Sequence, residues 1–215
     1  MTPLLLVQFK AFYQQEEILA AVKSFVESQT HPSFKLAIAL PLLLIEPVKT
    51  VLTLKEGMLM GTNMALLTDD QTFTGSIEIP LLISAGVQFV LIDISSGEDS
   101  NKIKDRIKKV LASKIMPIIC VRDTQQQFDD DQSEDVLKQQ VKEILGDLPP
   151  ENLSGLHILY DASWINETPW EASNQYLIEG YARFKKILND VFEENVVHTL
   201  KILYAVPTYL SLIHI

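Results

Sequence analysis

The feature that most constrains this chain is a repeated alternation of short apolar runs with amphipathic stretches. The runs are Leu4–Phe9, Leu36–Leu40, Met58–Gly61, Val87–Asp93, Met116–Val121, His157–Tyr160 and Lys201–Tyr204. Each is too short for a buried helix, and several are rich in Ile and Val, as strands buried on both faces should be. Between the runs, apolar residues recur at helical spacing. Ile18, Leu19, Val22, Phe25 and Val26 share one face, as do Ile103, Ile107, Val110 and Leu111. A later face joins Leu177, Tyr181, Phe184, Leu188 and Val191. Successive runs lie roughly 22–43 residues apart, room for a crossover helix and a right-handed return to a parallel neighbour. Seven βα units in an α/β chain leave two architectures open: a doubly wound sheet, or an eight-stranded barrel short of one unit.

Composition narrows the function classes. With 47% hydrophobic and 21% charged residues over 215 positions, the chain is globular and long enough to bury a core, which excludes disorder. The one cysteine, Cys120, excludes a disulfide framework and a multi-cysteine zinc site, and suits a reducing cytoplasm. Eighteen basic against 28 acidic residues give a net charge of -10, so the surface repels phosphate backbones and nucleic acid is not an expected partner. No apolar run approaches the roughly 20 residues that span a bilayer, so no membrane partner is expected. Nor does Leu4-Leu5-Leu6-Val7 form a signal peptide, because no basic region precedes it and Gln8 and Lys10 follow at once. Asp129-Asp130-Asp131 and Pro149-Pro150 look like loop punctuation, and no segment serves as a linker.

Particular residues decide between the architectures. Phe73-Thr74-Gly75, Gly86-Val87-Gln88-Phe89-Val90-Leu91-Ile92, Pro117-Ile118-Ile119-Cys120-Val121 with Asp123-Thr124, Tyr160-Asp161-Ala162-Ser163-Trp164 and Lys201-Ile202-Leu203-Tyr204 follow one another at consistent spacing. In that order they resemble the triosephosphate isomerase family from about Leu5 to Tyr204. The resemblance implies a (β/α)8 TIM barrel, here incomplete, with seven of eight βα units and the eighth strand and helix missing. It also implies a glycolytic and gluconeogenic aldose–ketose isomerase without metal or cofactor, acting on a phosphorylated triose as a homodimer. In that family a carboxylate moves a proton between adjacent carbons while a neutral imidazole polarises the carbonyl. A lysine balances the substrate's charge, and glycine-rich loops hold the phosphate.

Only some of these parts carry over. Gln8-Phe9-Lys10 resembles the family's Asn-Trp-Lys, which makes Lys10 a catalytic candidate and Gln8 a substrate-binding one. Asp161 stands where the base glutamate belongs. Its carboxylate is withdrawn by one methylene, roughly 1.5 Å, a displacement that can cost on the order of 100-fold. The histidine is missing: the family's Gly-His-Ser reads Asp93-Ile94-Ser95 here. Isoleucine cannot donate to an enediolate oxygen, and losing one such donor typically costs about 3–4 kcal/mol. His31, His157, His198 and His214 do not replace it by position. Ser95 or Ser96 reaches the pocket only through a register shift. The seventh loop reads Ala205-Val206-Pro207, where two Cβ atoms and a proline without an amide hydrogen replace the glycine cradle. Trp164 is retained, but the lid hinge is Asn166-Glu167-Thr168-Pro169.

The last six residues, Leu210 to Ile215, back-translate to CTG TCT CTT ATA CAC ATC, the end of a transposon-based sequencing adapter. They are expected to be a non-native tail (210–215) behind one truncated barrel domain (1–209), which should be less stable than an intact parent. Two other functions stay open. One is a non-catalytic barrel kept for binding or assembly through the Thr74-Gly75 loop. The other is a barrel enzyme of different specificity using Asp93 and Asp161 as acid and base or as metal ligands.

Overall fold

The computed structural model describes residues 4–9, 14–28, 34–51, 58–63, 77–95, 97–162 and 170–205. These residues form two compact units. One comprises the described residues up to Leu91 together with Val110–Met116; the other comprises Ile92–Lys109 and the described residues from Pro117 onward.

In the first unit, β1 (Leu4–Gln8), β2 (Lys35–Leu40), β3 (Met58–Asn63) and the start of β4 (Phe89–Asp93) pair in chain order. All three pairings are parallel, with Leu5 opposite Leu36, Ile38 opposite Met60 and Thr62 opposite Val90. Helices α1 (Gln15–Ser28), α2 (Ile45–Val51, entered through a 3₁₀ turn at Leu42–Leu44) and α3 (Ile79–Ser84) lie between the strands in sequence. The helical spacing in α1 is confirmed: Ile18, Val22 and Val26 are fully buried, with Leu19 and Phe25 at the margin. Burying each such side chain stabilises by about 1.5–3 kcal/mol. Strand β2 is buried along both faces from Leu36 to Leu40, as its unbroken apolar run requires. Strand β1 departs from that expectation, with Leu5 40% exposed, because among the described residues it pairs only with β2. Gly86 ends α3 at φ 83°, a conformation glycine adopts without strain. The reversal lets Gln88 N donate to Met60 O and Met116 N donate to Gln88 O.

In the second unit, β5 (Met116–Val121), β6 (His157–Tyr160) and β7 (Lys201–Tyr204) are parallel, aligning Val121, Tyr160 and Tyr204 across the strands. The chain after β4 joins them through Ile94 N donating to Cys120 O at 3.0 Å. The helices are α4 (Ser100–Leu111), α5 (Gln125–Asp129), α6 (Ser133–Leu145), α7 (Pro150–Leu153), α8 (Trp170–Val191) and α9 (Glu194–Val197). Asp99 Oδ1 caps α4 by accepting from Asn101 N and Lys102 N, and Thr124 with Gln127 forms a capping box on α5. Ile103, Ile107 and Val110 are buried, as their spacing predicts. On α8, Phe184 and Leu188 are buried as their spacing predicts, joined by Ile187, whereas Tyr181 is exposed. Among the described residues no helix is long and apolar enough to cross a membrane.

Candidate active site

The strand ends of the second unit bring several of the candidate residues together. The Tyr160 ring packs against Phe184 of α8 at 5.3 Å and edge-on to Tyr204 at 5.0 Å. Successive residues of a strand face opposite ways, so Asp161 turns its carboxylate to the other face. The Asp161 backbone N–H donates to Val121 O at 2.9 Å, extending the β5–β6 ladder by one step. Its side chain is 13% exposed.

Beside it, one residue beyond β5, stands Arg122. Its Nη2 pairs with Asp93 Oδ2 and lies 3.9 Å from Asp161 Oδ2. Asp93 is held in turn by Ser95, whose backbone N–H and hydroxyl donate to Asp93 Oδ1 at 2.9 and 2.6 Å. The Arg122 backbone is clamped as well. Its N–H donates to Gln140 Oε1 at 3.2 Å, and its carbonyl accepts from Gln140 Nε2 at 2.8 Å. The strand ends thus bring Asp93, Ser95 and Asp161 together around a guanidinium that the sequence reading missed. A cation directly after Cys120-Val121, at a strand end and between two strand-end carboxylates, was the available signal.

Cys120 lies buried in the same neighbourhood. Burial pushes its thiol well above the ordinary value, and the negative charges of Asp93 and Asp161 push it further the same way. The sulfur therefore stays protonated and is no nucleophile. Ile94 is buried, at 6% exposure. Ala205 N–H donates to Tyr160 O at 2.9 Å, extending the β6–β7 ladder by one step.

On the other face of the strands, Asp123 is buried and accepts from Ser133 Oγ at 2.6 Å and from Tyr160 Oη at 3.1 Å. Burial, followed by the Asp123 charge, holds the Tyr160 hydroxyl above its ordinary value near 10, so it remains a donor.

The remaining candidates divide. In the first unit, Gln8 Nε2 donates to Asn63 Oδ1 at 2.9 Å, and Asn63 Nδ2 donates to Phe9 O at 3.1 Å. The Gln8 amide is thereby fixed at its strand end, with Asn63 as a partner that sequence spacing gave no reason to pair with it. His157 opens β6, and His198 reaches Glu194 at 3.4 Å on an exposed helix end. Lys10, His31, the Thr74-Gly75 loop, Ser96, Trp164, the hinge at 166–169, Val206-Pro207, His214 and the tail at 210–215 lie outside the described residues. Among the described residues, no group of three or more His, Cys, Asp or Glu side chains is arranged to hold a metal ion.

The triosephosphate isomerase family model matches residues 3–205. The triosephosphate isomerase of Alkaliphilus metalliredigens is 30% identical over 141 residues, 63% of this chain and 57% of that protein. Its counterpart from Protochlamydia amoebophila is 27% identical, covering 78% of this chain and 65% of its own length. That of Geobacter metallireducens is 25% identical over 75% of this chain and 69% of its own. The chain therefore spans somewhat over half to about two thirds of the length of these relatives. The matched span takes in all seven strands, and parallel strands with helices between them are seven units of the (β/α)8 barrel.

Proposed function

Because the chain belongs to the triosephosphate isomerase family, we propose that it is an isomerase-type barrel whose interconversion of dihydroxyacetone phosphate and glyceraldehyde 3-phosphate is weak or lost. In this reading Asp161 is the residual base. Lys10 balances substrate charge, and Gln8 and Ser95 are polar neighbours of the substrate. The single observation that carries the reading is the buried Ile94, which the family resemblance sets in the imidazole's place. An apolar side chain gives no hydrogen bond to a developing oxyanion, which costs about 10²–10³ in turnover. The shortened Asp161 adds a penalty on the order of 100-fold through misplacement. One barrel domain over 1–209, a cytoplasmic setting in glycolysis and a homodimer through the Thr74-Gly75 loop belong to the same proposal.

The test is a coupled isomerase assay on the purified protein, in both directions, beside a histidine-bearing relative. Turnover at least about 10²-fold below the relative is expected, with the residue of activity removed by Asp161→Ala. Turnover at the relative's rate would overturn the reading, and so would residual activity indifferent to Asp161→Ala. A second reading, a barrel retained for assembly alone, is favoured by the same buried Ile94, and its mark is a stable dimer that binds no phosphorylated triose. The metal-using alternative is disfavoured, because Arg122 already supplies the cation between Asp93 and Asp161.

A further inference from the structure

We propose that Arg122 takes over the electrophile's role in this chain, stabilising the negative oxygen that forms when Asp161 removes a substrate proton. The proposal rests on the isomerase-type reading above and names a catalytic residue which that reading lacks. An oxygen on the carbon next to the one Asp161 deprotonates must lie within a few ångströms of the Asp161 carboxylate. Arg122 Nη2 is 3.9 Å from Asp161 Oδ2, on the neighbouring strand end. An ordinary surface arginine would lose much side-chain entropy in holding a position there. This one is pre-set: Gln140 clamps its backbone from both sides, and Asp93, itself fixed by Ser95, holds its guanidinium. Among the described residues both ion pairs run through Nη2, and the side chain is 44% exposed, so the rest of a five-donor fork can meet an incoming oxygen.

The chemistry differs from that of an imidazole in one respect. Asp161 takes the proton from carbon, the C–H electron pair becomes the new C=C bond, and the carbonyl π pair moves onto oxygen. Arg122 can donate an N–H to that oxygen, but a guanidinium does not give up its proton near neutral pH. The intermediate is therefore stabilised without a shuttle to move a proton between its two oxygens. Return of a proton to the original carbon should be faster than completion of the isomerisation.

The experiment follows dihydroxyacetone phosphate with the purified protein in D₂O by proton NMR, reading deuterium uptake at carbon beside formation of glyceraldehyde 3-phosphate. Uptake at least about tenfold faster than isomerisation is expected. It should fall about 100-fold or more in Arg122→Gln, be partly kept in Arg122→Lys, and vanish in Asp161→Asn. Uptake that Asp161→Asn abolishes but Arg122→Gln leaves intact overturns the proposal and spares the isomerase-type reading. No uptake in the unaltered protein overturns the proposal and leaves that reading in its inactive form. Uptake indifferent to Asp161→Asn overturns both. Should Arg122→Gln fail to fold, phosphoglycolate, whose planar carboxylate imitates the intermediate, provides a second measurement on the unaltered protein. Its binding should shift the Arg122 Nε–H resonance, and an unmoved resonance overturns the proposal.

Discussion

Replacing Tyr160 by Phe removes one oxygen from the buried network behind the candidate base, and its cost follows from the geometry. Asp123 is 4% exposed and accepts from Ser133 Oγ at 2.6 Å and from Tyr160 Oη, which is shared between both carboxylate oxygens at 3.1 Å. Hydrogen bonds to a charged group contribute about 1.5–3 kcal/mol, and short ones lie at the upper end. The shared, longer bond from Tyr160 belongs near the bottom of that range and the Ser133 bond near the top. The ring's packing on Phe184 and Tyr204 survives the change to Phe. Tyr160→Phe is thus expected to cost about 1.5 kcal/mol and Ser133→Ala about 3 kcal/mol. At about 2–4 °C per kcal/mol for a chain of this size, the melting points fall by about 3–6 °C and 6–12 °C.

Tyr204 provides the control. Among the described residues its hydroxyl is buried without a hydrogen-bond partner, so Tyr204→Phe removes an unsatisfied group and should be neutral or slightly stabilising. Urea unfolding read as a shift in midpoint at constant slope measures all three. The double change Tyr160→Phe/Ser133→Ala should be non-additive by about 0.5–3 kcal/mol, because both donors serve one carboxylate. Equal losses for Tyr160→Phe and Tyr204→Phe would refute the reasoning, as would a Tyr160→Phe protein within about 0.5 kcal/mol of wild type.

Three further outcomes are expected. A Cβ added at Gly61 would sit 2.5 Å from the ring of its buried cross-strand neighbour Phe89, so Gly61→Ala should destabilise by about 1–3 kcal/mol in urea, and Phe89→Leu should recover part of the loss. The bidentate Arg106 pairing holds the Glu98 carboxyl below its ordinary value of 4.5, so its stabilising contribution is complete above that pH and fades as pH falls through the lower folded value. The unfolding-midpoint gap between wild type and Glu98→Gln should therefore shrink on acidification from pH 6 to pH 3. Burial, then the charge of Lys201, holds His157 below 6.5, so the unfolded chain takes up a proton first and stability declines as pH falls from 7.5 through 6.5. His157→Leu should flatten that decline in midpoints measured at pH 7.5 and 5.5.

The strands were legible because parallel strands covered on both faces leave unbroken apolar runs, and β2, β5 and β6 lie where those runs predict. The edges of the pattern were less legible. Strand β1 reads as fully apolar yet exposes Leu5, since pairing on one side leaves part of its surface uncovered whatever its composition. Tyr181 falls in the helical register of α8 but stays outside, because an aromatic with a hydroxyl is tolerated at a margin where the neighbouring Phe184 fills the core. At the site, Asp161 and Ser95 were legible as candidates by position in a family pattern. Arg122 was not, because its partners Asp93 and Asp161 lie 29 and 39 residues away and become neighbours only through strand pairing.

That pairing ties the two faces of β5 and β6 to each other. Asp123 and Tyr160 point toward the face that packs on α8, while Arg122 and Asp161, one residue earlier and one later, point the opposite way. Slipping β6 by one residue against β5 would turn Asp161 toward Phe184 and Tyr160 away from it, splitting both pairs at a large desolvation cost. The buried network therefore holds the register that sets the distance between the carboxylate and the guanidinium. Among the described residues this scaffold draws on no side chain from Ile94 or Ala205. The scaffold thus holds a carboxylate and a cation on neighbouring strand ends, and the deuterium-uptake experiment asks whether those two groups act together.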